Sequence, residues 1–416
     1  MRILLIHQYF LEKDDAGGSR FNEMTKVWAD KGHEITVLAG MVHYQTGKKR
    51  PHYKGKFTYK DHFDQGITVV RSHVSESYNT NFLGRLWGYF SFVISSIYAG
   101  LFATSGKFDV ILVTSPPLFV GITAYLLSLI KRIPFVFEVR DLWPESAIDT
   151  GVLKNATMIK WAYTFESFMY RKASLINVLT PAFQQKLIAE KKVPDDKVIF
   201  IPNAADFSLS DELLDHFDVQ AFRKAHSLEE RVVITYVGAH GVANHLIQVI
   251  ETAELLKDEY PAVLFQLIGG GMEKAKLQEE TRRRELHNIR FVDAVPKQEV
   301  FKYILASDFG ASILKKVDTF KTIYSNKTFD YMACQIPVLM VIDGVSRTLV
   351  ETAACGVYIE PENPRDFADK IIAYLAKPAS IRKEQGMAGY QYAKAHFDRQ
   401  VLAEQYLNQL EALLSP

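Results

Sequence analysis

The sequence predicts an α/β protein made of two doubly wound domains. Three observations carry that expectation. Short apolar, β-branched runs alternate with helical patterns along the chain, as in parallel sheets joined by crossover helices. The alternation pauses in a polar stretch near residue 206 and then restarts with the same grammar. Glycine pairs and charged clusters follow the apolar runs directly, at the strand ends where open α/β sheets hold ligands. A chain of 416 residues is long enough for two such domains at about 100–200 residues each.

Composition narrows the function. The chain is 48% hydrophobic and 23% charged with a net charge of +1, so no global basic excess points to a nucleic-acid partner. The local exception is Gly47–Lys60, GKKRPHYKGKFTYK, with six Lys/Arg and no acid. It is expected to be a solvated loop suited to anionic lipid or a phosphorylated acceptor. Cys334 and Cys355 form neither a disulfide framework nor a metal knuckle, which fits a reducing compartment. MRILLIHQYF is too short for the apolar region of an export signal, and the protein is expected to be unexported.

Arg2–Phe10 reads as the first strand and Arg20–Lys31 as the first helix. Between them LEKDDAGGSR puts Gly17-Gly18 where a ligand can approach the backbone. HEITVLAG and GITVVRSHV are the next strands. Leu86–Ser105 then runs for twenty residues without a charge. That length would span a bilayer, but five Ser/Thr and two Gly favour a helix lying at a membrane surface. A buried core helix is the plainer alternative. FDVILVTSPP and FVFEVRDLWPES supply further strands with LFVGITAYLLSLIKR as the helix between them. Arg140-Asp141-Leu142-Trp143-Pro144-Glu145 therefore falls at a strand's carboxyl end. Arg140 suits a phosphate held bidentately, and Asp141 can accept a proton or orient a hydroxyl. Capping of the following helix is the structural alternative. A helix near 154–172, the strand SLINVLT, the helix PAFQQKLIAEKK and the run VIFIPNAAD close the first half. SLSDELLDHFD is expected to be the linker. The predicted domains are 1–205 and 206–395, with an amphipathic helix at about 396–416 packing back onto the first.

In the second half, VVITYVGAHG ends in Gly238-Ala239-His240-Gly241, where His240 meets either a ligand or solvent. AVLFQLIGGGMEK carries a triple glycine including Gly270 and Gly271, but no Gly-Lys-Ser/Thr follows, so it is not a P-loop. RFVDAVP, FGASIL and PVLMVI are strands, and SNKTFDYMACQIPVLMV links the last two. In that stretch Ser325-Asn326-Lys327 opens a helix that carries Asp330. A lysine at a helix start faces an anion, and a carboxylate one turn on accepts hydrogen bonds from hydroxyls. Phosphate plus ribose is a ligand of that shape; an ordinary αβ unit is the alternative. The chain has no defensible Ser-His-Asp order, no His-x-Glu-x-x-His and no Cys-x-x-Cys.

The strings HQYF…GGSR, GHEITVL, EVRDLWPES, VIFIPNAAD, YVGAHG, IGGGMEK, NIRFVDAVP and SNKTFDYMACQIPV, in that order, resemble the family 4 glycosyltransferases of the GT-B fold, and within them the bacterial O-antigen and capsule sugar transferases. The resemblance spans nearly the whole chain. It implies two Rossmann-like domains facing across a cleft, an acceptor-side N-terminal one and a nucleotide-sugar-binding C-terminal one. It also implies a retaining transferase that uses a nucleoside diphosphate sugar, without a metal or other cofactor. By that resemblance Asp330 binds the ribose hydroxyls and Lys327 the diphosphate, with Asn326 among the donor-binding residues. Gly17, Gly18, Gly238, His240, Gly270 and Gly271 approach the donor, and the Asp293 region lies near the base. Arg140 and Asp141 stand beside the reacting sugar, with Arg20 and Glu145 on the acceptor side.

The chain also departs from the family pattern. Thr322 occupies the place of the family's first glutamate, Asp330 replaces the second, and Gln335 stands where glycine is usual. The Arg and Lys that many relatives carry after the first C-terminal-domain strand are missing from GAHGVANH, leaving Arg140, Lys327 or Lys321 for the phosphate charge. The expected donor is a UDP-linked N-acetylhexosamine or deoxy form, and the expected acceptor a lipid-linked saccharide. The membrane contact would run through Leu86–Ser105 and Gly47–Lys60, on the cytoplasmic face of the inner membrane. A sugar-nucleotide epimerase or hydrolase of the same fold is the rival, and a non-enzymatic two-lobed binding protein a third reading.

Overall fold

The computed structural model describes residues 1–13, 15, 20–43, 47–79, 82–149 and 151–415. It divides into two compact units. One comprises Met1–Asp15, Ser19–Pro202 and Gln400–Pro416; the other contains Asn203–Arg399.

The first unit carries β1 (Arg2–Ile6), β2 (Glu34–Gly40), β3 (Thr58–Asp64), β4 (Ile67–Ser72), β5 (Val110–Ser115), β6 (Phe135–Val139), β7 (Leu175–Val178) and β8 (Val198–Phe200). They form one sheet in the order β3-β4-β2-β1-β5-β6-β7-β8. Every neighbouring pair is parallel except β3 with β4. Central strands of a parallel sheet are covered on both faces and become apolar throughout; Ile3–Ile6 and Val110–Val113 are fully buried. Strand β3 departs from the expected solvated loop. Thr58, Tyr59 and Phe63 favour extended backbone, and Gly66 at φ 72° turns the chain back into β4 as a hairpin.

Crossover helices Phe82–Tyr98, Val120–Lys131 and Ala156–Lys172 follow β4, β5 and β6. The Asn155 side chain caps the third by accepting from the Met158 amide at 3.1 Å, which satisfies one of the amides that a helix start leaves open. The helix Arg20–Asp30 is joined by residues from far along the chain. Trp28 donates from its indole to the Ala403 carbonyl at 2.8 Å and meets Tyr406 edge-on at 5.8 Å.

The apolar segment Leu86–Ala103 has a mean hydropathy of 1.4 and is 44% buried. It is long and apolar enough to cross a membrane, yet Phe92, Ser95, Ser96 and Ala99 pack inward while Trp87, Ile94, Tyr98 and Phe102 face out. The Ser96 hydroxyl meets Thr123 at 2.9 Å, so its serines serve helix packing.

The second unit holds β9 (Val232–Val237), β10 (Val263–Ile268), β11 (Ile289–Val292), β12 (Phe309–Ile313), β13 (Val338–Val341) and β14 (Gly356–Tyr358). Their order is β11-β10-β9-β12-β13-β14, parallel throughout. The expected linker is instead largely a helix, Phe207–His216. Phe207 and Ser210 are buried one turn apart, and Leu213 and Leu214 extend that face onto a core with Phe301, Phe329 and Phe397. Apolar spacing at a helical period outweighs the polar composition of SLSDELLDHFD.

Candidate active site

In the second unit the sheet reverses its strand order at β9, the crevice where open α/β sheets bind ligands. β10 pairs with β9 along its length, whereas β12 pairs with it only at Phe309–Ile234 and Gly310–Thr235. The strands then part. Tyr331 fills the split: its hydroxyl accepts from the Val237 amide at 3.1 Å and donates to the Ala311 carbonyl at 3.2 Å. Its ring lies over Gly310, where any Cβ would sit 2.2 Å from the ring.

Tyr331 belongs to the helix Asn326–Ala333, and Lys327 stands one turn before it on the same face. The Lys327 ammonium lies 4.9 Å from the centroid of Tyr236 and 3.5 Å from the Ser325 hydroxyl. Gly238 is so close that a Cβ there would meet Lys327 Cε at 3.3 Å. Burial lowers the Lys327 pKa to about 8, with the Asp330 carboxylate pulling the other way. A desolvated ammonium gains more from a nearby anion than a solvated one does. Ser325 occupies the cap position but makes no capping bond; its hydroxyl instead accepts from Ser312 at 3.3 Å. Asn326 is exposed and Asp330 half-buried.

Two loops beside this helix are joined through their backbones. The His240 amide donates to the Gly270 carbonyl at 2.8 Å, and the Glu273 amide to the His240 carbonyl at 2.9 Å. Gly269, at φ 138°, and Gly271, at φ 152°, both lie in backbone territory that favours glycine, and a Cβ on either would strike the facing loop. Gly270 has open space around it. The His240 ring is fully buried, and neither ring nitrogen has a hydrogen-bond partner. Solvent contact, one of its two expected environments, is thus ruled out. Burial first and the Lys274 charge second lower its pKa to about 4, so the imidazole is neutral.

Other expected ligand residues are engaged elsewhere. The Asp293 side chain is 97% exposed and pairs with Lys274 at 2.6 Å, so it turns outward to a cation. Lys321 pairs with Asp318 at the surface at 2.8 Å. The Thr322 hydroxyl donates to the Thr319 carbonyl at 2.6 Å, closing its own turn. Gln335 adopts φ 57°, the left-handed conformation that the usual glycine would take with less strain.

In the first unit the order reverses between β1 and β5. Gly17 and Gly18 lie outside the described residues. Arg140 follows β6; its amide donates to the Ser115 carbonyl at 2.9 Å, and its Nε lies 4.0 Å from Glu138. The Asp141 carboxyl is pushed up by burial and partly stabilised by hydrogen bonds from Ser146 and the Leu142 amide. The Ser146 bond ties Asp141 to the helix Glu145–Asp149. Two acceptor-side candidates turn inward. Arg20 is 6% exposed, pairs with the fully buried Glu138 at 3.2 Å, and donates to the carbonyls of Ile201 and Pro202. It anchors the chain's exit from this unit. Glu145 pairs with Lys191 at 2.7 Å, and Lys191 also holds Glu166 at 2.6 Å.

Comparison with known proteins follows these units. Residues 16–204 match the family model described as "Glycosyl transferase 4-like domain", and residues 218–392 the one described as "Glycosyl transferases group 1". The chain belongs to the family 4 glycosyltransferases. It is 24% identical over 400 residues to the Escherichia coli K12 protein named "Putative colanic acid biosynthesis glycosyl transferase WcaI", covering 94% of this chain and 95% of that one. Its fold is similar to that of Anabaena Alr3699/HepE solved in complex with UDP, with a TM-score of 0.72 at 16% identity over 99% of this chain and all of that one (100%). It is likewise similar to the E. coli trehalose-6-phosphate structure bound with UDP-2-fluoro glucose, with a TM-score of 0.73 at 11% identity and 99% of each chain covered.

Three residues of this glycosyltransferase carry geometry that the sequence did not single out. His7, at the end of β1, is 6% exposed and meets the Thr114 hydroxyl at 2.7 Å; burial first, then Arg140 and Arg20, lower its pKa. Lys274 ties the Gly269 carbonyl, at 2.8 Å, to Asp293. Tyr331 opens the strand split. The signals were present in HQYF, IGGGMEK and SNKTFDY, but a short string does not reveal which side chain turns inward.

Proposed function

We propose that this glycosyltransferase moves a sugar from a UDP-linked donor, an N-acetylhexosamine or deoxy form, to a lipid-linked saccharide acceptor in surface polysaccharide assembly. The observation that carries the donor half is Lys327, a desolvated cation at a helix start beside the β9–β12 split. An anion there offsets the cost of burying its charge, and Asp330 on the same helix accepts from ribose hydroxyls. Gly270 leaves its loop open to a donor. The name of WcaI, for colanic acid biosynthesis, and the UDP complexes of Anabaena HepE support this reading.

The reaction proceeds with retention and without a metal. The bond from the sugar's anomeric carbon to the diphosphate breaks, the acceptor oxygen bonds to the same face, and the acceptor proton passes to the departing phosphate oxygen. Lys327 stabilises the developing negative charge. Titration with UDP, GDP and ADP followed by thermal shift tests the donor: a selective rise with UDP supports it, and equal shifts or none refute it. Product anomeric configuration by NMR tests retention, and turnover in EDTA tests metal independence. Donor consumption without acceptor would favour the epimerase or hydrolase reading.

The acceptor half rests on the surface of the first unit, read as peripheral to the cytoplasmic face of the inner membrane. Among the described residues, nine of the fourteen exposed large apolar side chains lie between Phe57 and Trp161. Phe57 of the basic segment meets Tyr98 of the apolar helix at 5.3 Å, which brings the basic and the apolar segment together. A basic rim on exposed aromatic side chains suits an anionic bilayer. Sedimentation with phosphatidylglycerol vesicles and not with phosphatidylcholine vesicles is the expected result.

A further inference from the structure

Three consecutive glycines, Gly269–Gly271, make the freest kind of backbone a chain can place at a strand end, yet every carbonyl among them is held. The Gly269 carbonyl accepts from the Lys274 ammonium at 2.8 Å, the Gly270 carbonyl from the His240 amide at 2.8 Å, and the Gly271 carbonyl from the Lys274 amide at 3.1 Å. Among the described residues the amides of Gly270 and Gly271 meet no acceptor, and both glycines are exposed. The loop therefore offers N–H groups, and no free carbonyl, to a ligand.

Lys274 holds two of those three carbonyls. It opens the helix Lys274–Arg283, where a cation opposes the helix dipole. Its side chain folds back off the helix: besides Gly269 it donates to the Val292 carbonyl at 3.3 Å and to Asp293 Oδ1 at 2.6 Å. The three protons of one ammonium meet three oxygens, and none is left over for a phosphate. The ends of β10 and β11 are thereby pinned to each other, beside the Gly269 amide that donates to Val292 at 3.0 Å.

We infer that Lys274 is a positioning residue that sets base selectivity: it fixes the triple-glycine loop as a pair of amide N–H groups that choose a base with an outward carbonyl, such as uracil. The inference rests on the UDP reading given above and adds the group that enforces the base. The loop is continuous with Lys327. A Cβ on Gly238 would meet Lys327 Cε, and one on Gly269 would strike the Gly238 carbonyl, so Gly238 lies between the lysine and the loop. A nucleotide with its diphosphate at Lys327 has the exposed amides of Gly270 and Gly271 within the same row of strand ends. Where uracil turns out a carbonyl acceptor, adenine turns out an amino group, which an amide N–H cannot pair with. Such a readout needs its groups fixed to about 0.5 Å, and three glycines keep that precision only when their carbonyls are tethered.

UDP and ADP share ribose and diphosphate and differ in the base, so calorimetric titration of both into the full-length protein isolates the loop's contribution. Wild type is expected to prefer UDP. Lys274→Met is expected to weaken UDP about fivefold or more, the scale of one hydrogen bond lost, while ADP changes less than about twofold, so the preference shrinks. Lys274→Gln keeps one side-chain N–H group for the carbonyls; it is expected to shrink the preference about two- to threefold and serves should the methionine variant fail to fold. A purely structural tether would leave the ratio of the two affinities unmoved. Equal weakening of UDP and ADP would mean that the lysine acts on the shared ribose diphosphate, and it overturns the inference, as does an unchanged preference in both variants. If wild type prefers UDP in those cases, the donor reading survives and the role of Lys274 alone fails. A wild type that binds UDP and ADP alike removes the donor reading, and the selectivity with it.

Discussion

Lys327 and Tyr331 stand one turn apart on a single helix and do opposite work. The Tyr331 hydroxyl bridges Val237 and Ala311 and keeps two strands apart; Lys327, over the ring of Tyr236, puts a cation at the split that results. The sheet's opening and the charge beside it come from one element, so a change in either residue is felt at the other.

Lys327→Met separates binding from stability. Loss of the ammonium is expected to weaken UDP at least tenfold by calorimetry, since a charge-assisted phosphate contact contributes about 1.5–3 kcal/mol. The folded protein is expected to gain stability. It holds this amine at about pKa 8 against an ordinary 10.5, and at about 1.4 kcal/mol per pH unit that burial costs up to about 3 kcal/mol. A melting temperature that falls would contradict the burial argument.

The same group sets a pH dependence. Below pH 8 the free protein already carries the Lys327 proton, and binding takes up none. Between about 8 and 10.5 binding must add it, so UDP affinity is expected to fall up to tenfold per unit of pH. The sign for stability is the reverse: the penalty is complete below pH 8 and fades as pH rises toward 10.5. His240, lowered to about 4, contributes no limb between pH 5 and 7. A wild-type affinity that is flat from pH 7 to 10 would remove Lys327 from the phosphate contact.

Tyr331→Phe keeps the ring over Gly310 and removes only the bridging hydroxyl. Two backbone groups, Val237 N–H and Ala311 C=O, then lose a partner where β9 and β12 part. The expected cost is about 1–3 kcal/mol, read by urea unfolding, with weaker UDP binding because Lys327 is carried on the same turn. Unchanged unfolding would mean that water replaces the hydroxyl.

Gln335→Gly should stabilise. A side chain at φ 57° bears a strain of about 1 kcal/mol that glycine avoids, partly offset by glycine's greater freedom when unfolded. A gain of a few tenths to about 1 kcal/mol in urea unfolding is expected, and a loss would mean that the Gln335 side chain makes a compensating contact.

Much of the fold was legible because its signals are local. Apolar runs at strand length, helix periods and a restart after residue 206 depend on neighbours in sequence. What was missed depended on burial or pairing. β3 was hidden in a basic segment because edge strands tolerate charge, and the helix Phe207–His216 because serine and acid residues dominate its composition. Lys327 and Asp330 stood out through spacing on one helix. Arg20 and Glu145 have the same chemistry as ligand residues, but partners 118 and 46 positions away, Glu138 and Lys191, occupy them. Nothing near either residue announces that partner.

The contact between Trp28 and residue 403 also has a consequence for biosynthesis. Their separation of 375 residues corresponds to roughly 20–75 s of synthesis at about 5–20 residues per second. Through that interval the second unit can emerge and fold in full, while the face of the first that receives Trp28's partners waits uncovered. The unit that starts first therefore finishes last. A ribosome stalled before residue 400 would present a nascent chain whose Trp28 is still open to quencher or chaperone.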